Sequence, residues 1–165
     1  MRQDGESEEG TPALSLLVEL RVPHEVIRYR HEDDHSAARL SEMIGTEPEI
    51  TFKTLVLKGD KNGYFVCVVP GHAVMDMKKV ARLTGNRKCS MLRTELITEV
   101  TGYVQGGCSP MCMRHSHPVF LDASAVDHPG IIVSAGRPGC VVRIAARDLL
   151  AACGPRAALA DLTAS

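Results

Sequence analysis

Apolar residues along this chain fall into short runs broken by glycine, proline and acidic clusters, and the runs alternate between two periods. After Thr11-Pro12, which reads as an N-cap with proline in the first turn, Leu14, Leu17 and Val18 return at helical spacing, and Pro23 marks the stop. Glu25 to Tyr29 predicts a short strand. Ala37, Leu40, Met43 and Ile44 predict a second helix, opened by Asp34-His35-Ser36 and closed by Gly45. Thr51 to Lys58 reads as a strand. Gly59-Asp60-Lys61-Asn62-Gly63 is a turn rich in residues that tolerate positive φ, and Tyr64 to Val69 is the return strand. That return strand is apolar on both faces, which predicts a place in the middle of a sheet.

Further along, Asp76 can cap a helix through Met77, Val80, Ala81 and Leu83 that closes at Gly85. Leu92 to Val100 predicts another helix. Pro118 to Leu121, Ile131 to Ser134 and Cys140 to Ile144 are strand candidates, and Ala145 to Ala152 is a closing helix ahead of Gly154-Pro155. Strict β-α-β alternation is missing, because the strand carrying Lys53 returns directly through a hairpin. A doubly wound parallel sheet is therefore not expected. The fold class expected is α/β, a single domain with a mixed, curled sheet and helices packed around it. Residues 1–10, rich in Glu, Ser and Gly without apolar periodicity, are expected to form a disordered leader, with the domain beginning at residue 11.

Composition adds bounds to this pattern. A chain of 165 residues with 44% hydrophobic content suits one compact domain with a real core. The formal net charge of −1 leaves no overall basic footprint, so a DNA partner is not expected and any RNA contact must come from a local patch. No apolar run reaches the length of a membrane span, and the polar start of the chain is not signal-like, so a soluble, cytoplasmic protein is expected. The six cysteines follow no disulfide-scaffold spacing and read as reduced thiols. Cys108-x3-Cys112 followed by His115 and His117 has ligand spacing in the zinc range, but it lacks a second half-site; ordinary loop residues are the preferred reading, and no metal is assigned.

Two features point to chemistry. In Phe52-Lys53-Thr54-Leu55-Val56-Leu57-Lys58, Lys53 shares a face with Leu55 and Leu57. Desolvating an ammonium is costly, so Lys53 either snorkels to solvent from a strand end or serves as a pocket cation for a carboxylate, phosphate or carbonyl oxygen. In Thr101-Gly102-Tyr103-Val104-Gln105-Gly106-Gly107-Cys108-Ser109-Pro110, the adjacent glycines leave the backbone bare. Such a segment is a tight corner, or a source of N–H donors for an oxygen-rich ligand. The run Tyr29-Arg30-His31-Glu32-Asp33-Asp34-His35 reads as a solvated loop and helix start. Ser134 ends a strand before Gly136-Arg137-Pro138-Gly139 and lacks a Gly-x-Ser-x-Gly elbow; neither Walker nor dinucleotide spacing occurs.

Phe52-Lys53-Thr54-Leu55, Met75-Asp76-Met77-Lys78-Lys79-Val80-Ala81, the Thr101 to Pro110 segment and Ile132-Val133-Ser134-Ala135-Gly136 occur in an order and spacing that resembles the YbaK/EbsC family. These are bacterial aminoacyl-tRNA deacylases related to the editing domain of prolyl-tRNA synthetase. The likeness extends from about residue 11 to 162. It implies a barrel-like mixed sheet surrounded by helices, and trans-editing of mischarged tRNA(Pro), with cysteine as the amino acid removed. An Ala-tRNA(Pro) deacylase and a non-catalytic tRNA- or synthetase-binding module are the alternatives. The family's essential lysine falls on Lys53 and its glycine-loop position on Gly106, with Gly107 beside it. Its pocket tyrosine and serine fall on Tyr29 and Ser134, and Gly136 follows in the same segment as a substrate-binding candidate.

The resemblance implies no cofactor and no protein nucleophile, since the substrate's own thiol or the tRNA ribose hydroxyl takes part. Cys108, in the loop, is a weak nucleophile candidate. Ala135 and Cys112 stand where glycine is common, and Val141 where close relatives carry an acidic residue. The implied partners are the acceptor end of an aminoacyl-tRNA and prolyl-tRNA synthetase. Lys78, Lys79, Arg82, Arg87 and Lys88, with Arg93, form a local basic concentration. It is either a solvated helix face or a contact for tRNA phosphates.

Overall fold

The computed structural model describes residues 10–34 and 36–164. Nearly all of the expected leader, residues 1–9, lies outside the described residues, as does His35. Helix α1 (Pro12–Glu19) starts as its sequence dictates: the Thr11 hydroxyl accepts the Leu14 N–H at 3.1 Å and Pro12 occupies the first turn. Strand β1 (Glu25–Arg28) follows, and then α2 (Ala37–Ile44), capped by Ser36 and closed by Gly45 in the left-handed conformation.

Strand β2 (Phe52–Gly59) pairs antiparallel with β3 (Tyr64–Pro70) through the expected hairpin. Helix α3 (Met77–Leu83) is capped by the Asp76 side chain, and β4 (Cys89–Met91) adds to the far end of β2. Helix α4 (Ile97–Thr101) is followed by a long loop into β5 (Val119–Asp122). Strands β6 (Ile131–Arg137) and β7 (Cys140–Ile144) form a second hairpin, and α5 (Ala146–Cys153) and β8 (Ala157–Ala160) close the chain.

The strands make two sheets, one of five in the order β4-β2-β3-β5-β8 and one of three in the order β1-β7-β6. The five-stranded sheet is mixed: β2–β3 and β2–β4 are antiparallel, β3–β5 and β5–β8 parallel. The expected mixed α/β single domain is what forms, but its sheet does not close into a barrel. Instead, an isolated parallel bridge between Thr51 and Ile132 links the start of β2 to β6. The same strand hands its edge to β4 only from Leu57 onward. This change of neighbour along one edge leaves a gap at the start of β2, and the cavity described below opens there.

Strand β3 is central, as its two apolar faces require: Val66 and Val68 belong to the larger core cluster, and Phe65, Cys67 and Val69 to a smaller one. Phe52 and Val56 of β2 face the larger cluster, whereas Leu57 joins the smaller with Leu55 packed against it. Each fully buried aliphatic side chain of this kind contributes roughly 1.5–3 kcal/mol relative to exposure. Strand β8 was not expected because Ala157-Ala158-Leu159-Ala160 carries little β-propensity. It forms because β5 offers a parallel edge, while Asp122 accepts the Leu162 N–H at 2.9 Å and ties down the tail. The helix expected from Leu92 begins later, since the Leu92 N–H bonds Val56 O at 2.9 Å in extended backbone before a 3-10 turn at Thr94–Leu96.

Candidate active site

Where β2 changes neighbours, a cavity of about 170 Å³ is walled by the start of β2, by β6 and β7, by α2, and by the segment after β1. Lys53 and Thr54 line it from β2, Ser134 from β6 and Val141 from β7. Ala37, Leu40 and Met43 of α2 give it an apolar side, and Gly106 and Cys108 reach it from the loop after α4. Tyr29, His31, Glu32 and Asp34 complete the rim. Four of the residues singled out from sequence, Tyr29, Lys53, Gly106 and Ser134, thus meet at one cavity although as many as 105 positions separate them.

Each is placed by local structure. Tyr29 follows β1 and its N–H donates to Gly139 O at 2.9 Å, which fastens it to the β6–β7 turn. Ser134 pairs with Val141, after which the register slips so that Arg137 meets Cys140. This bulge lets the Ser134 hydroxyl accept the Gly136 N–H at 3.2 Å and aims the strand end at the cavity. Lys53 lies opposite Val69 and is half-buried, and its ammonium has no hydrogen-bond or ion-pair partner among the described residues. A cation left uncommitted in a partly apolar cavity favours an anionic or carbonyl oxygen. Gly106 is exposed with φ of 87°, a conformation that glycine adopts without strain.

Gly107 and Gly136 are not among the lining residues, and their surroundings show a packing role. A Cβ on Gly107 would lie 2.6 Å from Arg137 Cα, and one on Gly136 would lie 2.9 Å from Thr11 Cβ. The glycine loop therefore leans on the β6–β7 turn, and the bulge leans on the start of α1. The Thr11 hydroxyl donates to Ala135 O at that junction.

The acidic run after Tyr29 is not merely a solvated loop, since His31, Glu32 and Asp34 line the cavity. Glu32 takes two hydrogen bonds from Arg39, at 3.0 and 3.1 Å, and the Arg39 guanidinium holds its carboxyl below the usual carboxylate range. This pair pins the rim segment to α2. The signal available in the sequence was adjacency: these residues directly follow the pocket tyrosine.

No nucleophile is prepared here. Burial pushes the Cys108 thiol up to about 11, so it stays protonated near neutrality. Among the described residues, neither Cys108 nor Ser134 is hydrogen-bonded to a histidine. Among the described residues no three His, Cys, Asp or Glu side chains are grouped to hold a metal ion, so Cys108, Cys112, His115 and His117 do not assemble as ligands. In the basic region, Lys78, Arg82, Arg87 and Lys88 are exposed, whereas Lys79 is tied to Asp161 at 3.1 Å and to Thr163 O at 2.9 Å. Arg93 pairs with Glu95 at 3.5 Å. Because β4 meets β2 at Leu57–Gly59, Arg87 and Lys88, which lead into β4, lie toward the end of β2 that is roughly 13–20 Å from Lys53. No helix among the described residues is long and apolar enough to cross a membrane.

The small mixed α/β domain thus brings together at one cavity a cation, a bare glycine loop and apolar walls, with no nucleophile–base pair among the described residues, a class of site suited to positioning a substrate. Comparison with known proteins narrows this class. Residues 31–152 match the family model described as the aminoacyl-tRNA editing domain. The chain is 37% identical over 145 residues to EbsC of Enterococcus faecalis, which carries the name of a Cys-tRNA(Pro)/Cys-tRNA(Cys) deacylase; the match covers 87% of this chain and 88% of that one. A solved structure described as a trans-editing enzyme for prolyl tRNA synthetase superposes with a TM-score of 0.80 at 26% identity, covering 93% of this chain and 98% of the other. The hypothetical protein APE2540, 18% identical, shares the fold with a TM-score of 0.82 over 93% and 99% of the two chains. The chain belongs to the YbaK/EbsC family of aminoacyl-tRNA editing domains.

Proposed function

We propose that this protein is a trans-editing deacylase that cleaves the ester between cysteine and mischarged tRNA(Pro). The observation that carries the reading is the uncommitted Lys53 ammonium facing the same cavity as Gly106, Tyr29 and Ser134. Lys53 holds an oxygen of the terminal adenosine or of the ester, and so fixes the carbonyl in one orientation. The bare backbone at Gly106 stabilises the charge that develops on the carbonyl oxygen. Water, assisted by the ribose hydroxyl, or the substrate's own thiol attacks the carbonyl carbon; a new C–O or C–S bond forms as the ester C–O bond breaks, which gives free cysteine or its thiolactone, and the tRNA hydroxyl leaves with the attacking group's proton.

Size supports a small amino acid. Cavities near 150 Å³ take a benzene-sized molecule, so about 170 Å³ accommodates a cysteinyl group with little room to spare for the ribose. In this reading the exposed Lys78, Arg82, Arg87 and Lys88 meet acceptor-stem phosphates while the aminoacyl end is in the cavity. Selectivity for tRNA(Pro) comes through a complex with prolyl-tRNA synthetase. The test is release of amino acid from a panel of misacylated tRNAs with and without that synthetase. Cysteine release from Cys-tRNA(Pro), enhanced by the synthetase, is expected. Preference for Ala-tRNA(Pro) would replace the cysteine assignment, and binding without release from any ester would make the protein a non-catalytic module.

A further inference from the structure

We propose that the hydroxyl of Thr54 is the partner of the substrate's thiol, and so the residue that selects a cysteinyl ester over an alanyl one; this rests on the deacylase reading above. Alanine is the smaller amino acid, so no wall that admits cysteine can exclude it by size. Discrimination in binding, beyond any part the thiol takes in the chemistry, therefore calls for a group that gains a contact when sulfur is present and loses one when it is absent.

Among the described residues that line the cavity, one hydroxyl is buried without a partner. Among the described residues, Thr54 Oγ1 is the buried side-chain oxygen or nitrogen that has no hydrogen-bond partner. Native structures leave few such atoms, because an unpaired buried hydroxyl has lost its water without replacement. The other polar lining groups with known bonds are committed. The Thr51 hydroxyl is bonded to Ser41 at 2.8 Å, Ser134 accepts the Gly136 N–H, and Glu32 is held by Arg39. Thr54 lies next to Lys53 in sequence and opposite Val68, on the β2 face shared with Phe52 and Val56, which belong to the larger apolar core cluster. A turn about χ1 moves the hydroxyl between staggered positions without changing the side chain's volume, so a ligand in the cavity can draw it inward. The thiol is a weak donor and a weak acceptor, so the selectivity gained is modest and adds to whatever the thiol contributes to the chemistry.

Thr54→Val removes the hydroxyl and keeps the shape, and Thr54→Ser keeps the hydroxyl. Both are assayed as the full chain with Cys-tRNA(Pro) and Ala-tRNA(Pro), together with thermal unfolding. For Thr54→Val, kcat/KM on the cysteinyl ester is expected to fall about three- to tenfold with the alanyl ester unchanged and the melting temperature not lowered. Thr54→Ser is expected to keep the wild-type ratio. Thermal shift with the non-hydrolysable 3′-cysteinylamino- and 3′-alanylamino-adenosine analogues should show the same loss of preference in the valine variant. An unchanged cysteine-to-alanine ratio in Thr54→Val, with the wild type active, overturns this proposal alone. Equal losses on both esters with a lowered melting temperature overturn it too, in favour of a structural role. A wild type inert on every ester overturns the deacylase reading and this inference with it.

Discussion

Alanine at position 107 is the sharpest perturbation of the proposed site that leaves every cavity-lining side chain in place. Its Cβ would lie 2.6 Å from both Arg137 Cα and Pro138 Cδ and 2.7 Å from Arg137 C. Carbon atoms pack at about 3.5–4.0 Å, so the glycine loop and the β6–β7 turn must separate by about 1 Å. The turn is the stiffer partner, because β6 and β7 are paired through Arg137 and Cys140 and Gly139 O holds the Tyr29 N–H. The loop therefore moves and carries Gly106 with it. Overpacking of this kind costs about 1–3 kcal/mol. For a chain of 165 residues each kcal/mol lowers the melting temperature by about 2–4 °C, which gives a fall of about 2–12 °C. A 1 Å misplacement of groups that orient a substrate costs on the order of 10²-fold in rate. Thermal unfolding and single-turnover deacylation of Cys-tRNA(Pro) measure the two effects on one preparation. A Gly107→Ala protein that melts normally and deacylates at the wild-type rate would refute the idea that this close approach positions Gly106.

Other residues carry independent expectations. Asn86 is buried and accepts the Lys61 and Asn62 N–H groups at 2.9 and 2.7 Å; Asn86→Ala is expected to lower stability by about 2–3 kcal/mol in a denaturant titration, with deacylation of the folded fraction unchanged. Because the Cys108 thiol is raised from about 9 to about 11, the folded protein holds its proton where the unfolded chain loses it. The stability this gives is present below pH 9 and fades as pH rises through 11, and alkylation of Cys108 by iodoacetamide should be slow at pH 7 and accelerate in that window. Cys108→Ala is expected to retain activity. Reversing the charge of Arg82 and Lys88 together should weaken tRNA binding and flatten its salt dependence, measured by filter binding from low to moderate salt; an unchanged slope would remove the basic region from the interface.

Helix caps and the β2–β3 hairpin were readable in the sequence because they are local: Thr11, Ser36 and Asp76 each cap the helix that their position announces. The centrality of β3 was readable because burial on both faces is written into Tyr64–Pro70. Lys53 stood out because a lysine among leucines is costly. What could not be read depends on partners distant in the chain. Strand β8 exists only because β5 presents an edge, and the gap at the start of β2 only because β6 and β4 share one side of that strand. Thr54 is ordinary in sequence, and its orphaned hydroxyl appears only once the surrounding walls are assembled. Gly107 and Gly136 adjoin the segments that line the cavity, and their tight fit against Arg137 and Thr11 depends on contacts distant in the chain.

Replacement of Lys53 by alanine tests the account most directly, with cysteine release from Cys-tRNA(Pro) followed in single turnover and folding checked by thermal unfolding. The side chain is half-buried and has no hydrogen-bond or ion-pair partner among the described residues, so its removal should leave the melting temperature within a few degrees. The rate is expected to fall by at least about 10²-fold, because the ester is no longer held in position. A Lys53→Ala protein that folds normally and releases cysteine at the wild-type rate would contradict the assignment of this cavity as the place of reaction.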